Sequence, residues 1–190
     1  AGTETVNITM TDAGTVNNVV ATTDTATLVA TSATTINVSG NNGLTLTTAG
    51  NTAVTTFNAS GVVADTATSD SAALLAVTYA SANVTATAAV SITGGAGNDV
   101  LTGAAAIDTI VGGAGNDQIT GGTGADTLHG GDGTDTFVIR AGDGGSSIAD
   151  ADTIQDFTDG TDVIGLDSLS FGELTIEQGT GDYANHVVVK

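Results

Sequence analysis

From Gly94 the chain reads GGAGNDVLT, GAAAIDTIV, GGAGNDQIT, GGTGADTLH and GGDGTDTFV, five consecutive nonapeptides over 94–138 with no insertion. Asp holds the sixth position each time (Asp99, Asp108, Asp117, Asp126, Asp135). A large apolar residue stands two places later (Leu101, Ile110, Ile119, Leu128, Phe137). Six residues of each unit suit a turn. The other three suit a short strand with one side chain inward and its neighbours outward. Two units then make one coil of eighteen residues, so units n and n+2 stack at roughly the 4.8 Å strand spacing. The glycines admit positive φ and let backbone carbonyls converge.

Stacking also brings like charges into line, with Asp99, Asp117 and Asp135 on one side of the coil and Asp108 and Asp126 on the other. Carboxylates that close repel by several kcal/mol at intermediate dielectric. No Lys or Arg lies in the repeats. The whole chain has only Arg140 and Lys190 against 21 acids, a formal net charge of −19. A hard divalent cation supplies the missing charge. Calcium accepts six to eight oxygens, at about 2.3–2.6 Å, from carboxylates and carbonyls, whereas magnesium demands a tighter octahedron and keeps its water. Zinc would have no Cys and only His129 and His186 to use.

These units resemble the RTX family, whose GGxGxDxUx nonapeptides form a calcium-filled, right-handed parallel β-roll. The resemblance implies calcium held between turn n and turn n+2 by glycine-loop carbonyls and one Asp from each turn. Carried onto this chain, one site lies between 94–99 and 112–117 and a second between 112–117 and 130–135. Their ligands would be Asp99, Asp117 and Asp135, with carbonyls around Gly95, Gly97, Gly112, Gly113, Ala114, Gly115 and Gly130. A third, between 103–108 and 121–126, would use Asp108 and Asp126 with Gly121. There Ala104 and Ala106 replace glycines, and an L-residue forced left-handed costs on the order of 1–2 kcal/mol, so weaker or absent calcium is expected. Asp132 is an extra acid and a candidate further ligand at the end of the stack.

Charge divides the chain. Residues 1–90 hold 5 acids and 6 glycines, whereas 91–190 hold 16 acids and 21 glycines. Three segments are expected: 1–90, Thr/Ala-rich irregular β-solenoid rungs or a β-sandwich; 91–140, the roll; and 141–190, a C-terminal cap and secretion-signal region. In the first, the apolar-in, polar-out stretches Thr5–Thr9, Thr35–Ser39, Leu44–Thr47, Thr55–Ala59, Asn83–Thr87 and Val90–Thr93 read as strands. Asn7, Asn37 and Asn58 each sit between apolar residues at uneven spacing, and Ala72–Leu75 suits a short helix or a loop. In the last segment, Asp152-Thr153-Ile154-Gln155-Asp156-Phe157 and Gly160-Thr161-Asp162-Val163-Ile164 resemble the cap of serralysin-type RTX proteins. Ile154, Phe157, Ile164, Leu166 and Phe171 are placed to cover the last coil. Asp143, Asp150, Asp152, Asp156 and Asp162 suit either another calcium or solvated loops. Val187–Lys190 suits a terminal export signal or an edge strand.

The acidic balance excludes nucleic acid as a partner and anionic membranes as a surface, and no apolar run is long enough to span a bilayer. Without His-Glu-x-x-His or Gly-x-Ser-x-Gly, no enzyme is expected. Thr-rich rungs joined to RTX repeats look like bacterial surface-layer proteins exported by the type I route, for which no N-terminal signal is needed and none is seen. The expected protein is therefore secreted, structural and calcium-dependent, sits at the bacterial cell surface, binds several Ca2+ ions and self-assembles into a lattice or filament. Cell-surface polysaccharide is a further candidate partner. Two alternatives are the calcium-binding tail of an extracellular protease or lipase, and an adhesin or ice-binding solenoid, the latter suggested by the Thr-x-Thr pairs Thr45/Thr47 and Thr85/Thr87.

Overall fold

A computed structural model describes residues 4–11, 24–47, 50–64, 72–143, 150–169, 176–178 and 187–189. The described residues are all strand, turn and loop. Odd-numbered strands build one sheet: β1 (Glu4–Met10), β3 (Ala33–Gly40), β5 (Thr56–Val62), β7 (Ser91–Thr93), β9 (Thr109–Ala114), β11 (Thr127–Asp132) and β13 (Thr153–Ile154). Even-numbered strands build the other: β2 (Asp24–Thr27), β4 (Leu44–Thr47), β6 (Val77–Ala80), β8 (Val100–Thr102), β10 (Gln118–Thr120), β12 (Thr136–Arg140) and β14 (Val163–Asp167). Every neighbour within these two sheets is parallel. Strict alternation between two parallel sheets is a β-roll, and it runs unbroken from the irregular rungs into the regular repeats.

The antiparallel sandwich considered for residues 1–90 is therefore replaced by solenoid rungs. Ala72–Leu75 is a turn rather than a helix, and Asn83–Thr87 is loop and turn rather than strand. Two strands, β2 and β6, lie where the sequence suggested none. β15 (Ile176–Gln178) and β16 (Val187–Val189) pair antiparallel in a small sheet of their own, so the last valines form an edge strand. Phe171 and His186 lie outside the described residues.

One aligned residue per strand forms the spine of the core, to which the early strands add others such as Val38, Leu44, Val62 and Val77. On the odd sheet the register aligns Val6, Ile36, Phe57, Ile92, Ile110, Leu128 and Ile154. On the even sheet it aligns Ala26, Leu46, Tyr79, Leu101, Ile119 and Phe137, and ends on Ile164, which is exposed. The two columns meet between the sheets. Phe57 and Tyr79 stack with ring centroids 3.8 Å apart and planes 8° from parallel, and burial pushes the Tyr79 phenol up to about 12. Outside, Asn7, Asn37 and Asn58 fall in one register, and the Asn37 amide donates to Asn7 Oδ1 at 2.9 Å. Their uneven sequence spacing reflects loops of different length between rungs of constant height.

Candidate metal centre

The residue before each strand of the regular rungs stands at a corner of the roll, and its carboxylate is turned inward. Asp99, Asp108, Asp117, Asp126 and Asp135 are all buried, each only 1–2% exposed. They form two ladders of identical bonds. On one side the N–H of Val77 donates to Asp99 Oδ1 (2.7 Å), Asp99 to Asp117 (2.7 Å), Asp117 to Asp135 (2.8 Å) and Asp135 to Asp162 (3.0 Å). On the other, Val90 donates to Asp108 Oδ1 (2.8 Å), Asp108 to Asp126 (2.7 Å) and Asp126 to Asp152 (3.0 Å).

The second oxygen of each carboxylate separates these residues into two groups. In the first turn on each side it is satisfied locally, by Gly95 N–H on Asp99 (2.7 Å) and Ala104 N–H on Asp108 (3.0 Å). In the later turns the corresponding glycines adopt positive φ: Gly113 (123°), Gly122 (101°) and Gly131 (102°). That local bond is then gone, and Oδ2 of Asp117, Asp126 and Asp135 is buried with no hydrogen-bond partner. Beside each orphan oxygen lies the opening glycine of the same turn. A Cβ on Gly112, Gly121 or Gly130 would run into Oδ2 of Asp117, Asp126 or Asp135 respectively. The space next to the free oxygen is thus kept open by glycine.

Ala104 and Ala106 do not carry the strain expected of them. Among the described residues Ser168 is the only non-glycine with positive φ. The turn 103–108 opens its stack, and it is the next turn, through Gly122 and Gly124 (φ 101° and 150°), that adopts the left-handed form against the carbonyls of Ala104 and Ala106. Alanine is accommodated there because nothing in the first turn needs to be left-handed.

Burial is the largest influence on these acids and raises them. Asp99 is pushed up to about 6, and Asp117 and Asp126 to about 7, with neighbouring carboxylates on the ladder adding to the rise at the latter two. Asp135 and Asp152 are raised for the same reason. Desolvated carboxylates at this density need a proton or a cation. Among the described residues, the cationic side chains do not serve the ladder. Arg140 Nε donates to Asp167 Oδ2 at 2.8 Å, which holds that carboxyl below its usual range. His129 leans on Asp156 (3.4 Å) and Gln155.

Among the described residues no three acidic or histidine side chains converge on one point. A cation here would therefore take much of its shell from backbone carbonyls, a donor set of hard oxygens that suits calcium and not zinc. The glycine turns supply such carbonyls in close stacks. Gly95 O faces Gly113, Gly97 O faces Gly115, Gly113 O faces Gly131 and Gly115 O faces Gly133 across successive turns.

The RTX calcium-binding nonapeptide repeat matches residues 88–110 and 102–137, in four copies. Calcium is the ion of these repeats. The matched segment contains the Asp ladders from Asp99 to Asp135 and the orphan oxygens. No curated protein matches the chain.

Other sequence candidates divide. Asp132 is exposed and contributes its carbonyl, which accepts from Gly115 N–H at 2.8 Å. Of the acids left between calcium and solvent, Asp152 and Asp162 are the next rungs of the ladders. Asp156 instead accepts from Gly130 and Gly131 N–H (both 2.9 Å), and Asp143 from Arg140 N–H (2.8 Å). Asp162 has both oxygens taken, Oδ2 accepting from Thr158 N–H at 2.7 Å. Sequence reading had not singled out Asn98 and Asn116. Their Oδ1 atoms accept from Asn116 and Thr134 N–H (2.8 and 2.9 Å), a second ladder that runs only on the Asp117 side.

Proposed function

We propose that this is a secreted, calcium-folded structural protein whose roll assembles outside the cell, and that its setting is a bacterial surface layer. The observation that carries the calcium reading is the buried, partnerless Oδ2 of Asp117, Asp126 and Asp135, each beside a space that a Cβ would fill. Calcium, when bound, supplies the positive charge that the ladders lack. Asp117 and Asp135 hold it on one side with the carbonyls of Gly95, Gly97, Gly112, Gly113, Ala114, Gly115 and Gly130. Asp126 holds it on the other with the turn at Gly121, and Asp99 and Asp108 anchor the ladders through two backbone bonds each.

Folding is then coupled to metal. Where calcium is scarce, the carboxylates repel and the repeats stay open, a form suited to one-step export. Extracellular calcium modules commonly bind at about 10⁻⁴–10⁻³ M, so the roll closes once outside. The surface-layer setting is supported by the Thr-rich rungs joined to RTX repeats and by the acidic exterior, across which calcium can bridge neighbouring copies. Circular dichroism of the full chain in calcium and in EGTA tests the folding step, and electron microscopy after calcium addition tests assembly. A β-spectrum unchanged by EGTA would remove the first claim. A protein that stays monomeric at high concentration in calcium would remove the second.

A further inference from the structure

We infer that the solenoid is built in two regimes: the rungs before Val90 cohere without metal and act as a standing template on which the calcium-dependent rungs order. The inference rests on the calcium reading above. It comes from what occupies the corner positions. On the even sheet, Leu44 pairs with Val77, and Val77 stands over Asp99 through its N–H bond to Asp99 Oδ1. On the odd sheet, Val90 stands over Asp108 in the same way. Leu44, Val77 and Val90 are buried, so the corners next to the ladders carry hydrocarbon where the later rungs carry a carboxylate, and Asp24, which pairs with Leu44 one rung further back, is exposed.

The turns follow the same division. In the early rungs they are clamped by neutral amides. Asn51 is fully buried, accepts from Ala30 N–H at 2.7 Å and donates to Leu28 O at 2.8 Å. Asn83 is also buried, donates to Val54 O at 3.1 Å and accepts from Thr85 N–H at 3.2 Å. Each joins its own turn to the preceding rung with the polar atoms of both ends used and no charge buried. Tyr79 and Phe57, the bulkiest fully buried side chains among the described residues, stack here as well. In the later rungs the equivalent tie is a carboxylate with one oxygen unsatisfied. The boundary is closed on both sides, because Asp99 and Asp108 have both oxygens bonded by backbone from Val77, Gly95, Val90 and Ala104. The first Asp of each ladder is thus attached to the apolar rungs before any cation is required, and ordering proceeds from there toward Asp152 and Asp162.

Hydrogen exchange of the full chain, followed peptide by peptide in calcium and in EGTA, tests this. The expected result is that β3–β6 keep their protection in EGTA while β9–β12 lose theirs and regain it with calcium. Loss of protection in both halves together in EGTA, restored together by calcium, would overturn the inference and leave the calcium reading standing. Protection of β9–β12 that is the same in calcium and in EGTA would overturn both. Asn83→Ala gives a second readout: protection of β5 and β6 in EGTA should fall, whereas Asp117→Ala should leave it unchanged. The reverse pattern would also overturn the inference.

Discussion

The backbone N–H of Asp117 donates to Oδ1 of Asp135 at 2.8 Å, so one oxygen of Asp135 is spent on the backbone of the turn before it and the other is buried without a partner. Asp117 stands in the same relation to Asp99. Each carboxylate therefore does two separable jobs, an acceptor in the ladder and an open oxygen. Asp117→Asn divides them. The substitution keeps an acceptor for Asp99 N–H and replaces the open oxygen with an NH2 group. Losing one charged ligand interaction of about 1.5–3 kcal/mol is expected to raise the calcium midpoint on the order of 10- to 100-fold. The metal-free chain should be no less ordered than before. Calorimetric titration with calcium, alongside circular dichroism in EGTA, measures both. An unchanged midpoint would show that Oδ2 is not a ligand.

Acidity should partly replace the metal. Asp117 and Asp126 are held at about 7 and Asp99 at about 6, chiefly by burial, whereas an unfolded Asp titrates near 3.9. A carboxyl raised on folding takes up a proton in the folded state, so the metal-free fold gains stability as pH falls from about 7 toward about 4 and loses it above. In EGTA, β-structure should be least at pH 8 and increase toward pH 5. Calcium competes with the same protons, so its apparent affinity should weaken over that range and its binding should release protons near neutrality. A metal-free spectrum that is flat between pH 8 and pH 5 would contradict the buried placement of these groups.

The period of nine made the roll and its inward column legible, because every rung from Leu101 to Phe137 repeats the same three decisions: turn, Asp, apolar. Beyond the repeats the signal persisted in a shorter form. Asp152-Thr153-Ile154 and Asp162-Val163-Ile164 keep the Asp-x-apolar spacing, and both continue the ladders. The sequence offers both acids as candidates but does not mark their place in the ladders, because the steps into them are 26 and 27 residues rather than 18. In the early rungs the corners share no repeated residue (Asp24, Leu44 and Val77 on one side, Val90 on the other), so nothing marks the four-residue stretches Asp24–Thr27 and Val77–Ala80 as rungs, which is why β2 and β6 escaped notice. The strain assigned to Ala104 and Ala106 was misplaced for a different reason. Whether a turn must be left-handed depends on whether another lies beneath it, and that is a property of the stack rather than of the nonapeptide.

That dependence gives a paired test. Gly115 and Gly133 have φ of 126° and 144°, and a Cβ on either would run into the carbonyl of the turn below, Gly97 for the first and Gly115 for the second. Gly115→Ala combines a left-handed penalty of about 1–2 kcal/mol with a clash against backbone that cannot move aside. A loss of stability larger than that penalty alone is expected in calcium, with a raised calcium midpoint. Ala106→Gly occupies the same position in the nonapeptide but in a first turn. It should change stability by less than about 1 kcal/mol, the cost of added backbone freedom. Thermal melts of the two variants in calcium should differ clearly. Equal losses would mean that turn position does not govern the glycine requirement.

The end of the Asp117 ladder should be sensitive in its own way. Asp162 accepts from Asp135 N–H at 3.0 Å and from Thr158 N–H at 2.7 Å, so it closes the last regular turn and shapes the cap with the same side chain. Asp162→Ala leaves the Asp135 N–H without its acceptor at a part-buried site, a loss of about 1–3 kcal/mol. It also frees Thr158, which precedes the exposed tip at Asp159 and Gly160. The ring of Phe157, 6.2 Å from that of Phe137, is positioned by the same loop. Fraying is therefore expected to start at β14 and pass to β12, because β14 pairs with β12 from Thr136 to Arg140. The opposite side, from Asp108 to Asp152, should keep its protection. Asp159→Ala, three residues away and exposed, serves as the control and should leave the melt unchanged. Hydrogen exchange in calcium decides the matter: equal loss of protection in β11 and β12 for Asp162→Ala would mean that the two ladders do not close independently.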